Sequence, residues 1–330
     1  MKAAILKQLG PLEPFHLVDL PTRSPGAGEV SIKVRATSIN VVDTKIRAGM
    51  GDIAPAGDIV LGCDVAGIIE AVGPGVTRFA IGDEVYGCAG GVKGRDGAYR
   101  EQMITDARLL AKKPTSCTFE QAAALPLVSI TAWEALVDRA QVKPGETVLV
   151  HGGTGGVGHI GVQLAKALGA IVHTTVSSDE KAQLAKKLGA DVTINYRARQ
   201  VVQYAAEETN GRGYDVVFDT VGSDNIAASL EALAVNGRCV SIVSLHTSPD
   251  LSALHMKNAR LDLVLMLIPM LTGEGLERHG FILENVARLV DAGRIQPLLD
   301  DRVYSLDELI LAHDHLASGA AIGKIAVRVS

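Results

Sequence analysis

The stretch Val148-Leu-Val-His-Gly-Gly-Thr-Gly-Gly-Val-Gly158, running into Ile160-Gly-Val-Gln-Leu-Ala-Lys-Ala-Leu168, decides the fold. Its first residues are apolar, few and β-branched, as in a buried strand. Val157, Ile160, Gly161, Leu164 and Leu168 then recur at helical spacing along one face, so the segment reads as strand, glycine turn and helix. The spacing Gly153-x-Gly155-x-x-Gly158 suits a dinucleotide pyrophosphate. One glycine makes a tight turn out of the strand, one lets backbone approach phosphate, and one allows close helix-to-strand contact. The turn from Gly153 through Gly155, Gly156 and Val157 is therefore expected to hold cofactor, helped by unpaired N–H groups at the helix start.

Around this unit the chain after Pro126 alternates. Helix is expected at Ile130 to Arg139, strand at Thr147 to His151, strand at Ile171 to Thr175 and helix at Asp179 to Leu188. Strand Asp215 to Asp219, helix Asn225 to Leu233 and strand Arg238 to Val243 continue the series. This alternation predicts an α/β fold with a doubly wound parallel sheet. The segment before Pro126 is different in style, with short strand-like runs such as Val30 to Ala36 and Val65 to Val72 between turns at Pro25-Gly26 and Gly73-Pro-Gly75. Strands are expected again at Leu298 to Val303 and Lys324 to Val329, with a helix Leu306 to Ala317 between them, rejoining the first part.

Composition narrows the class. With 330 residues and 47% hydrophobic residues the chain can build two cores, and its formal charge of −5 offers no basic face for nucleic acid or anionic lipid. Cys63, Cys88, Cys117 and Cys239 lack CxxC spacing, and the start Met-Lys-Ala-Ala-Ile-Leu-Lys lacks a signal-peptide core, which points to a cytoplasmic setting. The most apolar run, Leu261 to Leu271, is broken by Asp262 and Pro269 and is too short to span a bilayer, so it is expected in the core or an interface.

Over nearly its whole length the sequence resembles the zinc-independent quinone oxidoreductase branch of the medium-chain dehydrogenase/reductase superfamily. The resemblance is carried by Ser38-Ile-Asn-Val-Val-Asp-Thr-Lys-Ile-Arg-Ala-Gly49, Leu61-Gly-Cys-Asp-Val-Ala-Gly67, Gly82-Asp-Glu-Val-Tyr86, Leu125-Pro-Leu-Val-Ser-Ile-Thr-Ala-Trp133, the glycine turn, Leu188-Gly-Ala-Asp191 and Gly323-Lys-Ile. It implies a GroES-like β catalytic domain, 1–125 and 296–330, around an inserted Rossmann domain, 126–295, with the active site in the cleft between them.

Zinc-dependent members of that superfamily hold their catalytic metal with a Cys, a Gly-His-Glu motif and a second Cys or Asp. By resemblance those positions hold Asn40, Cys63-Asp64 and a point near Leu127 here, which is not the three-donor set of a catalytic zinc. Tyr86 to Tyr99 is a short glycine-rich connection with Cys88 alone, so the structural zinc lobe is missing too. His313 and His315, two apart on an expected helix, splay from one another, so both are expected at the surface. No metal is expected.

The cofactor expected is NADPH. NAD sites place Asp or Glu about 20 residues after the glycine motif, whereas Ile171 to Ser177 ends in hydroxyl residues. Ser177, Lys181 and Tyr196 match the family residues that contact a 2′-phosphate. Read alone, Ser177 equally suits a helix cap and Lys181 a solvated side chain. Asp179 leaves room for NAD.

Hydride transfer to a quinone or enone needs little polarisation, because the product anion is already delocalised. A hydrogen-bond donor and a proton from water suffice where an alcohol dehydrogenase needs a Lewis acid. By resemblance Asn40 contacts the nicotinamide region and Thr131 its ribose or adjoining phosphate. Lys45 stands where related quinone reductases often carry Tyr, and it either donates to the substrate oxygen or projects into solvent. Asp43 suits a structural role bonding local backbone. Val243 and Ser244 are expected to bring backbone near the nicotinamide amide, and Lys324 to reach toward cofactor, with plain packing as the other reading of Ser244 and Lys324.

The function expected is an NADPH-dependent, zinc-independent reductase of quinones or α,β-unsaturated carbonyls. The alternatives are a reductase of other activated carbonyls or enoyl thioesters, and a non-catalytic NADPH-binding protein. The substrate cleft is expected to draw on Met50 to Ile53, Gly90 to Arg95 and Leu263 to Leu267. The partner expected is a second copy, since the family tends to dimerise through the edge of the nucleotide-domain sheet.

Overall fold

A computed structural model describes residues 1–55, 57–244 and 248–329. The chain divides into two compact units, one of Met1–Ile130, Leu267–Gly293 and Pro297–Ser330, the other of Thr131–Met266 and Arg294–Gln296.

In the first unit, strands β1 (Lys2–Ile5) and β2 (His16–Asp19) form an antiparallel ribbon. The long strand β3 (Glu29–Ile39) pairs with β4 (Asp64–Val72), which pairs with β5 (Glu84–Cys88). Strand β6 (Gln102–Asp106) adds to β3, and β7 (Leu110–Lys112) to β5. Because β3 lies inside the sheet, Ser31 and Thr37 on one face are buried as well as Ile32, Val34, Ala36 and Ser38 on the other, and the strand loses the clean alternation of a half-exposed one.

The second unit is a six-stranded parallel sheet made of β8 (Thr147–Val150), β9 (Ile171–Val176), β10 (Val192–Asn195), β11 (Tyr214–Asp219), β12 (Leu233–Ser241) and β13 (Arg260–Leu263). Their spatial order, β10-β9-β8-β11-β12-β13, is the doubly wound dinucleotide order in which the first strand of the unit sits beside the fourth. Crossover helices Gly158–Ala167 and Asp179–Lys187 follow β8 and β9, close to the expected bounds. The chain then returns to the first unit, where β14 (Tyr304–Ser305) and β15 (Ile325–Arg328) complete a seven-stranded sheet, β15 pairing antiparallel with β3.

Four expectations are corrected. The helix Leu276–Asp291, expected in the nucleotide domain, belongs to the β unit: the Tyr86 hydroxyl donates to the Leu283 carbonyl at 2.7 Å, and Gly280 leaves room for the Arg108 and Leu110 carbonyls. The expected strand Leu298 to Val303 is reduced to a bridge between Leu299 and Lys324, because Asp300 turns its carboxylate to the Ile322 and Arg302 N–H groups. The expected helix Ile130 to Arg139 is the end of Pro126–Trp133 continued as a π-helical stretch, Glu134–Arg139. Strand β12 begins earlier and ends earlier than expected. The run Leu261 to Leu271 splits into edge strand β13 and a short helix, Ile268–Thr272. No helix among the described residues is long and apolar enough to cross a membrane.

Candidate active site

The nucleotide side is built at the carboxyl ends of β8, β9 and β10. A Cβ on Gly153 would stand 2.1 Å from the Thr174 hydroxyl of β9, and one on Gly158 would stand 2.1 Å from the Gly152 carbonyl, so both positions admit only glycine. The tight turn itself falls at Gly152, where φ is 71°. Close helix-to-strand contact is made one turn later than the motif suggests, by Gly161, whose Cβ would press 2.8 Å from the Phe218 ring of β11. Gly155 is exposed, with Gly156 and Val157 half-buried beside it at the start of the helix, which leaves backbone facing outward there.

The turn is tied to its neighbours. The Thr175 hydroxyl accepts from the Gly152 N–H at 3.0 Å, and the Thr220 hydroxyl donates to the His151 carbonyl at 2.6 Å. Asp219, at the end of β11, accepts from the Val221 and Gly222 N–H groups and from the Asn225 amide. Burial holds the His151 imidazole below its ordinary pKa, so it stays neutral under the turn. Neither His151 nor Asp219 carries a motif signal that sets it apart in the sequence.

Parallel pairing of β10 with β9 sets Asn195 against Val176, and the Tyr196 N–H donates to the Val176 carbonyl at 3.2 Å. Tyr196 and Ser177 thus leave adjacent strands side by side. The helix cap is Ser178, whose hydroxyl accepts from the Lys181 N–H at 3.3 Å, so Ser177 is not spent on capping. Lys181 is half-buried on the first turn, and Tyr196 is 53% exposed. Arg197, exposed and next to Tyr196, adds a second cation that the glycine motif gives no hint of. Two hydroxyls and two cations here fit a 2′-phosphate.

Val243 lies two residues beyond the end of β12. Its carbonyl accepts from the Ser223 N–H at 3.0 Å and the Ser241 hydroxyl at 3.3 Å, so it holds loops together within the unit. Ser244 is half-buried after it. Thr131 is buried, on the helix Pro126–Trp133.

The β unit carries a buried polar cluster. Asp64, the first residue of β4 and fully buried, accepts from the Ser38 hydroxyl at 2.7 Å, the Asn40 amide at 2.8 Å and the Leu127 N–H at 2.8 Å. The positions that resemblance assigns to zinc ligands do converge here. They are committed to one another: the Lys324 ammonium lies 3.6 Å from Asp64 and donates to the Ile39 carbonyl at 2.8 Å and to the Asn40 side-chain oxygen. Lys324 thus bonds Asn40 and the Ile39 carbonyl and lies beside Asp64.

Asp43, just after Asn40, accepts from the Asn40 N–H at 2.9 Å, the Gly62 N–H at 3.2 Å and the Cys63 thiol at 3.5 Å. It bonds local backbone as expected. Burial pushes it up to about 6, against the pull of the Asn40 N–H and with a further push from Asp64. Hydrogen bonding with Cys88, followed by burial, raises Cys63 far above a free thiol. A protonated thiol, an amide and a carboxylate already paired with an ammonium do not fit zinc, because a second cation would meet the Lys324 charge. Among the described residues no group of three or more His, Cys, Asp or Glu side chains is placed to hold a metal ion.

Lys45 is half-buried on the helix Val41–Arg47, and its side chain makes no bond among the described residues. The Lys93 N–H donates to the Ile53 carbonyl at 2.8 Å, which brings together two of the segments expected to line a substrate site, Met50 to Ile53 and Gly90 to Arg95. His313 and His315 do splay apart, but the surface expectation is corrected: His313 is buried because its ring packs against Phe15 and Tyr99, and half-buried His315 meets Tyr304.

Residues 26–115 match the alcohol dehydrogenase GroES-like domain family and residues 156–267 the zinc-binding dehydrogenase family. A 2-haloacrylate reductase of a Burkholderia species is 39% identical over 245 residues, 73% of this chain and 72% of its own. A quinone oxidoreductase of Pseudomonas aeruginosa is 35% identical over 310 residues, 92% of each. Phthioceranic/hydroxyphthioceranic acid synthase of Mycobacterium tuberculosis matches 97% of this chain at 31% identity, but the match spans only 15% of that protein. Among solved structures, an alcohol dehydrogenase superfamily protein from Novosphingobium aromaticivorans superposes with a TM-score of 0.95 at 40% identity over all of both chains. The Escherichia coli quinone oxidoreductase complexed with NADPH gives 0.85 at 30% identity, covering 99% of each.

Proposed function

Because the chain belongs to the medium-chain dehydrogenase/reductase superfamily, we propose that this oxidoreductase is an NADPH-dependent reductase of quinones and other α,β-unsaturated carbonyls that works without zinc. The observation that carries the cofactor is the pairing of Tyr196 with Ser177 at the ends of adjacent strands, with Lys181 on the next turn and no carboxylate at Ser177 or Ser178 to repel a phosphate. The reduced nicotinamide supplies a hydride. Exposed Gly155 and the helix start after it take the pyrophosphate, and the loops tied through Asp219 and Val243 support that turn from below.

On the acceptor side Asn40 is the group proposed to meet the reacting carbonyl. A 2-haloacrylate and a quinone share an alkene conjugated to an electron-withdrawing carbonyl or carboxyl, and that shared feature defines the substrate class proposed here. Lys45, a half-buried cation on the helix after Asn40, suits an acidic acceptor such as a haloacrylate, and an unchanged kcat/KM for Lys45→Ala on every acceptor removes it. The proposed partner is a second copy of the chain, supported by edge strand β13 with Leu263 and Leu265 both more than half exposed.

NADPH and NADH oxidation measured against para-benzoquinone, methyl vinyl ketone and 2-chloroacrylate tests this reading. The expected result is turnover with NADPH preferred by about tenfold or more in kcat/KM. A preference for NADH overturns the cofactor. Tight NADPH binding with no turnover on any acceptor favours a non-catalytic binding protein.

A further inference from the structure

We infer that Lys324 and Asp64 are positioning residues that make the Asn40 side chain a polarised hydrogen-bond donor for the oxygen on which negative charge collects as the acceptor is reduced. This rests on the reading above, in which the chain reduces conjugated carbonyls.

The orientation of the Asn40 amide follows from its neighbours. Lys324 carries only donors and the Asp64 carboxylate only acceptors, so Oδ1 faces Lys324 and Nδ2 faces Asp64. One Nδ2 hydrogen goes to Asp64 at 2.8 Å; among the described residues the second has no acceptor. A cation at the amide oxygen draws electron density from the nitrogen, which strengthens the remaining N–H as a donor. The effect is large in a place from which water is excluded, and Lys324 is 3% exposed, Asn40 4% and Asp64 not at all.

Each member is also held from outside. Lys324 is fixed by the Ile39 carbonyl, and Asp64 by the Ser38 hydroxyl and the Leu127 N–H. The amide plane is therefore set before any charge develops, which is what electrostatic stabilisation requires. The hydride brings one hydrogen and two electrons to the electrophilic carbon of the acceptor. The conjugated π pair then comes to rest on the carbonyl oxygen as an enolate, and water supplies the proton that completes the product; with a quinone, one ring C–H proton then shifts to oxygen to give the hydroquinone. Asn40 donates to that oxygen, while Lys324 and Asp64 neither touch substrate nor exchange a proton.

The test measures binding of substituted phenolates, as oxyanion mimics, to the full-length protein loaded with NADP⁺, alongside kcat/KM over the acceptor panel. Wild type is expected to prefer phenolate to the neutral phenol. Lys324→Met is expected to lose about tenfold of that preference and to lose most activity on the weakest acceptors. Lys324→Gln, which keeps a neutral donor, is expected to fall between and carries the test if Lys324→Met does not fold. In an Asn40→Ala background neither change has a further selective effect. Equal losses for phenol and phenolate, and for strong and weak acceptors, mean a structural role and overturn the inference alone. A wild type with no phenolate preference also overturns it. A wild type that turns over no acceptor overturns the reading beneath it.

Discussion

Lys324, just before β15, and Asn40, just after β3, meet side chain to side chain inside the β unit, with Asp64 bridging them from β4. Three distant segments thus depend on one buried ion pair.

Removing Asp64 leaves the Lys324 ammonium buried without its counter-charge. Asp64→Ala is expected to cost about 3–5 kcal/mol, the range for breaking a buried pair from one side. Asp64→Asn, which keeps acceptors for Leu127 and Ser38, is expected to cost less. Urea unfolding midpoints read the difference, and a loss below about 1 kcal/mol for the alanine variant contradicts the assignment.

The contact of Gly161 with Phe218 separates packing from cofactor chemistry. Gly161→Ala is expected to destabilise by about 1–3 kcal/mol, because the added methyl overpacks a ring in the core. Phe218→Leu in the same chain is expected to recover part of the loss, as measured by thermal unfolding without cofactor. No recovery would place the strain elsewhere.

Lys181 is expected to matter for one cofactor and not for the other. Lys181→Ala raises KM for NADPH by about tenfold, the loss of one charge-assisted contact, and leaves NADH nearly unchanged. Equal effects on both cofactors would move the 2′-phosphate away from Ser177 and Tyr196.

His313 provides a pH dependence of known sign. Burial, with the Arg47 charge adding, lowers it from 6.5 to about 3, and its Nε2 meets the Tyr99 hydroxyl at 3.0 Å. Its folded-state pKa is depressed, so the stability it supports is complete above pH 6.5 and is lost as pH falls from there toward 3. At pH 5 the loss is about 2 kcal/mol. His313→Gln, which keeps a partner for Tyr99, is expected to reduce by about 2 kcal/mol the fall in unfolding free energy between pH 7 and pH 5, as read from urea titrations at the two pH values. An unchanged slope contradicts a neutral buried His313.

Local pattern made the nucleotide unit legible. Around Gly153 to Gly158 the apolar period changes from strand to helix within a dozen residues, and the alternation implies a parallel, doubly wound sheet, while the strand order is set by pairings the sequence does not show. Strand β10 and the helix Val201–Glu208 are short, with too few turns or alternations to stand out. The helix Leu276–Asp291 is amphipathic, but nothing local says which sheet its apolar face covers; that is decided by contacts with Tyr86, Arg108 and Leu110 far away in sequence. The same holds for the polar cluster. Asn40 and Lys324 each stand in a recognisable motif, yet only the pairing of β15 with β3 makes them neighbours and bonds the lysine to the asparagine. Ser177 and Ser178 are equally good cap residues in sequence, and only the backbone shows that Ser178 is the cap.

The most direct measurement of the central claim is mass spectrometry of the product formed from an enone and NADPH deuterated at the transferring position of C4. Conjugate reduction consumes NADPH and leaves one deuterium at the β-carbon and a solvent-derived proton at the α-carbon. Deuterium at the carbonyl carbon, or no NADPH consumed with any enone or quinone, would contradict it.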